Sequence, residues 1–210
     1  MPDDSATADP LVIRHLEFAG GMASPTGWRP TLEFPEIAFS GRSNVGKSAL
    51  LNRLVRRRGF ARVSNTPGRT REINFFVVNH AFVLVDLPGY GFARVSKARR
   101  AEWRPLIEGY LRSSRQLRGV VQLLDIRHEP TGDDHTMLEF LGELGVPTIV
   151  AVTKADKLTA RKAEERLREI ADATGLDESQ MILFSATTGQ GRDELAEAMV
   201  ELLALPAWRA

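Results

Sequence analysis

From about residue 35 onward, short apolar runs alternate with longer amphipathic stretches. The runs Glu36–Ser40, Ile73–Val78, Phe82–Asp86, Gly119–Asp125, Thr148–Thr153 and Met181–Phe184 predict strands. The stretches Lys47–Arg57, Ser96–Ser113, Asp133–Leu144, Thr159–Thr174 and Arg192–Leu205 predict helices. Asn79-His80 separates two of the strands by a turn-forming pair, which predicts a hairpin and one antiparallel strand. The remaining strands alternate with helices, a pattern that calls for an α/β fold. Its predicted form is a six-stranded, mainly parallel, doubly wound sheet with right-handed crossovers and helices on both faces. Ligands on such sheets bind at the carboxyl ends of the strands. Residues 1–30 are polar and rich in Gly, Pro, Ala and Asp. They predict a mobile N-terminal extension with at most one short element near Leu11–Phe18, leaving 31–210 as a single domain.

The turn after the first of these strands carries the first chemistry. Gly41-Arg42-Ser43-Asn44-Val45-Gly46-Lys47-Ser48 fits the phosphate-loop pattern G-x-x-x-x-G-K-[ST], and it lies between a predicted strand and a predicted helix, as that pattern requires. Glycines let the backbone curl so that successive N–H groups point inward at a polyphosphate, and the helix N-terminus adds to the same positive field. Lys47 is placed to reach the β- and γ-phosphates and the Ser48 hydroxyl to ligate Mg²⁺. The bland alternative is a Gly/Ser turn that precedes a helix.

Three further strand ends extend this picture. Asp86-Leu87-Pro88-Gly89 closes the run Phe82–Val85 about 40 residues after the phosphate loop. A carboxylate there can hold Mg²⁺ and the Gly89 amide can face a γ-phosphate, whereas alone the string is also a good turn. Thr153-Lys154-Ala155-Asp156 ends the run Ile149–Val152. A rigid Asp156 can accept two hydrogen bonds from guanine, and adenine would leave that carboxylate unpaired. The Lys154 stem can cover the base with its ammonium on the ribose side; a plain charged loop is the other reading. Phe184-Ser185-Ala186 ends the last strand and would set a small side chain and a backbone amide against the guanine carbonyl.

Composition narrows the classes. The 210 residues suffice for one sizeable core, and zero cysteines exclude disulfides, thiolate metal sites and cysteine nucleophiles. No apolar run approaches the roughly 18 residues of a membrane span, and the acidic start Met1-Pro2-Asp3-Asp4 does not read as a signal peptide, so a cytoplasmic, non-membrane protein is expected. Net charge is +1 but unevenly spread. Arginine gathers at Arg53, Arg56, Arg57, Arg58 and Arg62, at Arg69 and Arg71, and from Arg94 through Arg118, while acidic residues lie later. Such a chain can present a basic face to nucleic acid, or simply carry solvated, ion-paired helices.

Together the four motifs resemble the GTP-binding domain of the translation-factor branch of Ras-like GTPases, over about residues 35–205. Finer strings narrow the resemblance: Asn65-Thr66-Pro67-Gly68-Arg69-Thr70-Arg71-Glu72-Ile73-Asn74-Phe75-Phe76, Asp86-Leu87-Pro88-Gly89-Tyr90-Gly91-Phe92-Ala93, and Asp125-Ile126-Arg127-His128-Glu129-Pro130-Thr131. With the phosphate loop they are similar to the EngB (YihA, YsxC) family of bacterial GTPases. The resemblance implies a cytoplasmic GTPase that binds GTP and GDP with Mg²⁺, associates with the large ribosomal subunit during its assembly, and is needed for normal cell division and septation; a monomer is the default expectation, on which the sequence itself is silent.

The alternative is a GTP-dependent scaffold of the division machinery that works through proteins. Thr70 would join Ser48 and Asp86 on Mg²⁺, with Gly68 and Arg69 close to the nucleotide, and Lys47, Thr70 and Gly89 would carry the chemistry. Tyr90 stands where Ras-type enzymes place a water-orienting glutamine, which implies slow intrinsic hydrolysis. Asn44 either holds K⁺ beside the phosphates or only shapes the loop.

Overall fold

The computed structural model describes residues 9–57, 72–91 and 97–209, with backbone alone over 97–103. In chain order the elements are β1 (Leu16–Met22), β2 (Glu36–Gly41), α1 (Lys47–Leu54), β3 (Ile73–Val78), β4 (Phe82–Asp86), α2 (Lys97–Ser113) and β5 (Leu117–Asp125). They continue with α3 (Gly132–Leu144), β6 (Thr148–Thr153), α4 (Ala160–Thr174), β7 (Met181–Phe184) and α5 (Arg192–Ala204). Among the described residues the strands form one seven-stranded sheet in the order β1-β3-β4-β2-β5-β6-β7. β3 runs antiparallel to both its neighbours, β1 and β4, and every other pairing is parallel.

The parallel core follows from its residues. β2 is buried along its whole length, and its alternate side chains enter opposite layers. Ile37 and Phe39 join Leu50, Leu51, Leu54, Leu195 and Met199 beneath α1 and α5. Ala38 faces the other way with Val85, Ile107, Tyr110 and Phe140 under α2 and α3. A third cluster, with Val150, Val152, Ala163 and Ile170, packs α4 on the far end of the sheet. β2 therefore sits at the centre of the sheet and ends in Gly41, at the carboxyl edge.

Two expectations from the sequence need correction. The sheet has seven strands where six were predicted, because residues 16–22, assigned to a mobile extension, form the edge strand β1. Its Gly20-Gly21 pair carries little strand propensity, and long-range bonds hold it instead. In the β3–β4 turn Asn79 and His80 both adopt left-handed backbone, at φ 52° each. The Asn79 amide oxygen accepts from the N–H of Arg14 (2.8 Å) and His15 (3.0 Å), and its NH₂ donates to Val12 O (2.7 Å). His15 stacks on His80 with ring centres 4.2 Å apart.

The second correction is that α1 ends at Leu54 rather than Arg57, with Arg56 left-handed at φ 52°. The buried Arg192 guanidinium explains this stop. Its Nη2 donates to Leu54 O and to Leu11 O, both at 3.0 Å, and its Nη1 bonds Asp9 and Asp193. One arginine thus closes the helix and straps residues 9–11 across its end.

Candidate functional site

The phosphate loop hangs between β2 and α1, and its two glycines serve different purposes. A Cβ on Gly41 would lie 3.0 Å from both Leu123 Cβ and Val45 Cγ1, so a side chain there would press on its neighbours. Gly46 stands at φ 108°, a conformation that side-chain-bearing residues rarely adopt. Asn44 turns at φ 66°, in the left-handed region where asparagine is among the few tolerated residues. α1 opens without a side-chain cap, and its first intrahelical bond runs from Leu50 N–H to Gly46 O at 2.8 Å. The N–H groups of the first helical turn precede that bond, so the helix start offers the donors and dipole that an anion needs.

Asp86, the last residue of β4, lies nine-tenths buried and takes the ammonium of Lys47 as its partner. The lysine expected at the phosphates and the carboxylate expected at the metal therefore sit side by side. Among the described residues no group of three or more His, Cys, Asp or Glu could hold a metal. The Ser48 hydroxyl and the Asp86 carboxylate are hard-oxygen donors of the kind that suits Mg²⁺, and would hold it together with phosphate oxygens. Leu87 is fully buried, and its N–H bonds Phe39 O at 3.1 Å, which pins Leu87-Pro88-Gly89 to β2. A Cβ on Gly89 would fall 3.1 Å from Ser43 Oγ and 3.3 Å from Ser43 N, so this strand end lies directly on the phosphate loop. Gly68, Arg69 and Thr70 lie outside the described residues, as do Phe92 and Ala93 of the second switch string.

The residues expected to recognise the base lie at two further strand ends, those of β6 and β7. Thr153 Oγ1 contacts Val45 O at 2.6 Å and Leu124 O at 3.0 Å, which ties the end of β6 to the phosphate loop. Lys154 takes left-handed backbone at φ 63° and starts the 3-10 turn Ala155–Lys157. Its ammonium is engaged within the chain. It donates to Asn44 O at 2.6 Å and to Asp125 Oδ2 at 2.7 Å.

Asp156 is capped by the Ser185 hydroxyl at 2.7 Å and by Lys157 at 3.1 Å. These two partners hold its carboxyl below the ordinary carboxylate range, so it stays an acceptor at neutral pH. Ser185 is itself fixed, since its N–H bonds Gln190 O and its carbonyl accepts from Gly189 N–H. Phe184 is fully buried beneath Ser185, and Ala186 packs at the edge of the same core.

Two side chains have surroundings that the sequence reading did not foresee. Asp125 ends β5 as Asp86 ends β4, and that parallel was the available signal. Burial alone would raise its carboxyl, but bidentate bonds from Arg127 (2.9 and 2.8 Å) and the bond from Lys154 hold it well below the usual carboxylate range. With Arg42, Asn44, Arg127 and His128 it lines a cleft of about 160 Å³ beside the phosphate loop. The other is Tyr90. Only 1 % of it is exposed, and its hydroxyl donates to Asp134 in α3 at 2.8 Å, so its side chain faces the core rather than the space above Gly89.

Comparisons with known proteins agree with this geometry. A family model described as "50S ribosome-binding GTPase" matches residues 36–154, and the model of the elongation factor Tu GTP-binding domain matches residues 107–205. A probable GTP-binding protein EngB of Gemmatimonas aurantiaca is 65 % identical over 95 % of this chain and 98 % of its own length. The probable GTP-binding protein EngB of Pelotomaculum thermopropionicum is 48 % identical over 90 % of this chain and 96 % of its own. A crystal structure of a probable GTP-binding protein EngB superposes with a TM-score of 0.67 at 28 % identity, over 80 % of this chain and 98 % of that one. Phosphate loop, Asp86 strand end and Asp156 loop thus stand together on one sheet edge in a chain of that descent: it belongs to the EngB family of P-loop GTPases.

Proposed function

We propose that this GTPase is a Mg²⁺-dependent molecular switch that docks on the large ribosomal subunit during its assembly. In this reading GTP and GDP forms differ in affinity for the subunit, hydrolysis resets the cycle, and normal cell division and septation depend on that supply of ribosomes. The protein acts as a cytoplasmic monomer. The observation that carries the switch reading is the convergence of three strand ends on one loop. Thr153 and Lys154 bond the carbonyls of Val45 and Asn44, and Gly89 touches Ser43, so base recognition and γ-phosphate sensing share a scaffold. The ribosomal partner is supported by the matching family's description and by exposed Arg56, Arg57, Arg104, Arg112 and Arg115, which suit an RNA backbone.

Ser48 and Asp86 would hold the metal with Thr70, and the ion would neutralise charge on the phosphates during transfer. Lys47 neutralises the β- and γ-phosphates, and the Gly89 amide meets the γ-phosphate. Intrinsic hydrolysis is slow, because Tyr90 occupies the water-orienting position yet turns its hydroxyl into the core. Stimulation then comes from K⁺ at the exposed Asn44 side chain or from a partner's group.

Co-sedimentation with purified 50S subunits, with GDP or a non-hydrolysable GTP analogue and in K⁺ or Na⁺, tests the proposal. GTP-dependent, salt-sensitive binding that speeds hydrolysis is expected. Failure to bind 50S in either nucleotide state removes the ribosomal reading and leaves the division scaffold.

A further inference from the structure

The phenol of Tyr90 joins three elements at a buried point that the motifs above do not explain. Its hydroxyl donates to Asp134 Oδ1 in α3 at 2.8 Å and accepts from Gln122 Nε2 in β5. Gln122 is fully buried. Asp134 is 3 % exposed, and its other oxygen accepts from the N–H (2.8 Å) and hydroxyl (2.7 Å) of Thr131. Those bonds cap α3. The acceptor is thus held from two sides, and the phenol has one place to go.

The Tyr90 backbone is equally committed. Its carbonyl accepts from Ser43 N–H at 2.8 Å, its N–H reaches Gly41 O at 3.3 Å, and Arg42 and Tyr90 pair as a parallel bridge. Gly89, one residue earlier, is the amide that family resemblance sets against the γ-phosphate. Gly91, one residue later, has φ 70°, where the chain can turn away.

We propose that Tyr90 is a positioning residue for γ-phosphate recognition: its buried phenol, clasped by Asp134 and Gln122, holds the Gly89 amide on the phosphate loop before nucleotide arrives. An ordinary second switch folds onto the γ-phosphate and loses conformational entropy on doing so. Here the first residues of that switch are already ordered by a charge-assisted hydrogen bond in a dry setting, where such bonds are strong. GDP has no γ-phosphate to meet Gly89, so the clasp contributes to GTP binding and not to GDP binding. The inference rests on the GTPase site alone and is independent of the ribosomal partner.

The test compares the wild-type chain with Tyr90→Phe, titrating fluorescent GDP and a fluorescent non-hydrolysable GTP analogue in Mg²⁺. The variant keeps the ring and its packing and removes only the hydroxyl. Affinity for the GTP analogue is expected to fall about tenfold while GDP affinity stays within about twofold, the size of one lost hydrogen bond to a charged group. Equal loss for both nucleotides marks a merely structural role and overturns the proposal, as does unchanged or improved GTP binding.

Should Tyr90→Phe lose its cooperative thermal transition, Asp134→Asn keeps the shape while removing the charge and one of the two acceptor oxygens. It is expected to lower the GTP-to-GDP affinity ratio about threefold, and an unchanged ratio overturns the proposal. Hydrogen exchange on the nucleotide-free wild-type chain needs no variant. The Tyr90 amide is expected to be protected, and exchange at the rate of an unstructured peptide overturns the clasp.

Discussion

Lys154→Met tests how the base-recognition loop is held to the phosphate loop. Methionine retains the unbranched stem, suffers much the same left-handed backbone penalty as lysine, and deletes only the ammonium. That ammonium makes two short bonds, 2.6 Å to Asn44 O and 2.7 Å to Asp125 Oδ2, with 24 % of the lysine side chain and 12 % of the aspartate exposed. A hydrogen bond involving a charged group contributes about 1.5–3 kcal/mol. Partial exposure argues for the low end, and Asp125 retains its bidentate Arg127, so the pair of bonds comes to about 2–3 kcal/mol. For a chain of this length each kcal/mol moves the midpoint by about 2–4 °C, so thermal unfolding of the nucleotide-free variant should fall by about 5–10 °C. Circular dichroism on Lys154→Met, Asp125→Asn and the double variant would measure this. The cycle should show coupling of about 1–2 kcal/mol between the two positions. A midpoint within about 1 °C of wild type, or strictly additive losses, would refute the reasoning.

Two further outcomes follow from the same site. Asp156→Asn exchanges two acceptors for a donor and an acceptor, so GTP affinity should drop at least about 100-fold while xanthosine triphosphate gains; competition binding with both nucleotides checks it, and unchanged preference would sink the base assignment. Asp125 and Asp156 both have folded-state pKa values below their unfolded ones. The stability they contribute is therefore complete above the unfolded value of about 3.9 and is lost as pH falls below it. Urea midpoints measured between neutral pH and pH 3 should decline on the acid side, less steeply in Asp125→Asn.

Much of the site was readable because its chemistry is local. Gly41–Ser48, Asp86–Gly89 and Thr153–Asp156 each needed only a strand end, a turn and a few side chains in sequence, and each stands where the pattern placed it. What went unread depended on partners far along the chain. The partners of the Lys154 ammonium, Asn44 and Asp125, lie 110 and 29 positions away. Tyr90 was compared with a water-orienting residue, yet its direction is set by Asp134, 44 positions on.

Hydrophobic periodicity and turn chemistry determined by themselves that this chain builds a mainly parallel α/β sheet with a phosphate loop between its first predicted strand and the helix that follows. Those are statements about neighbours, and neighbours are what a sequence records. The tertiary structure decided the rest: that glycine-bearing residues 16–22 join the sheet, that α1 stops at Leu54, and which way the ammonium of Lys154 and the phenol of Tyr90 point. In each case a buried or partly buried polar group had to find a partner, and only the folded chain determines which group comes within reach.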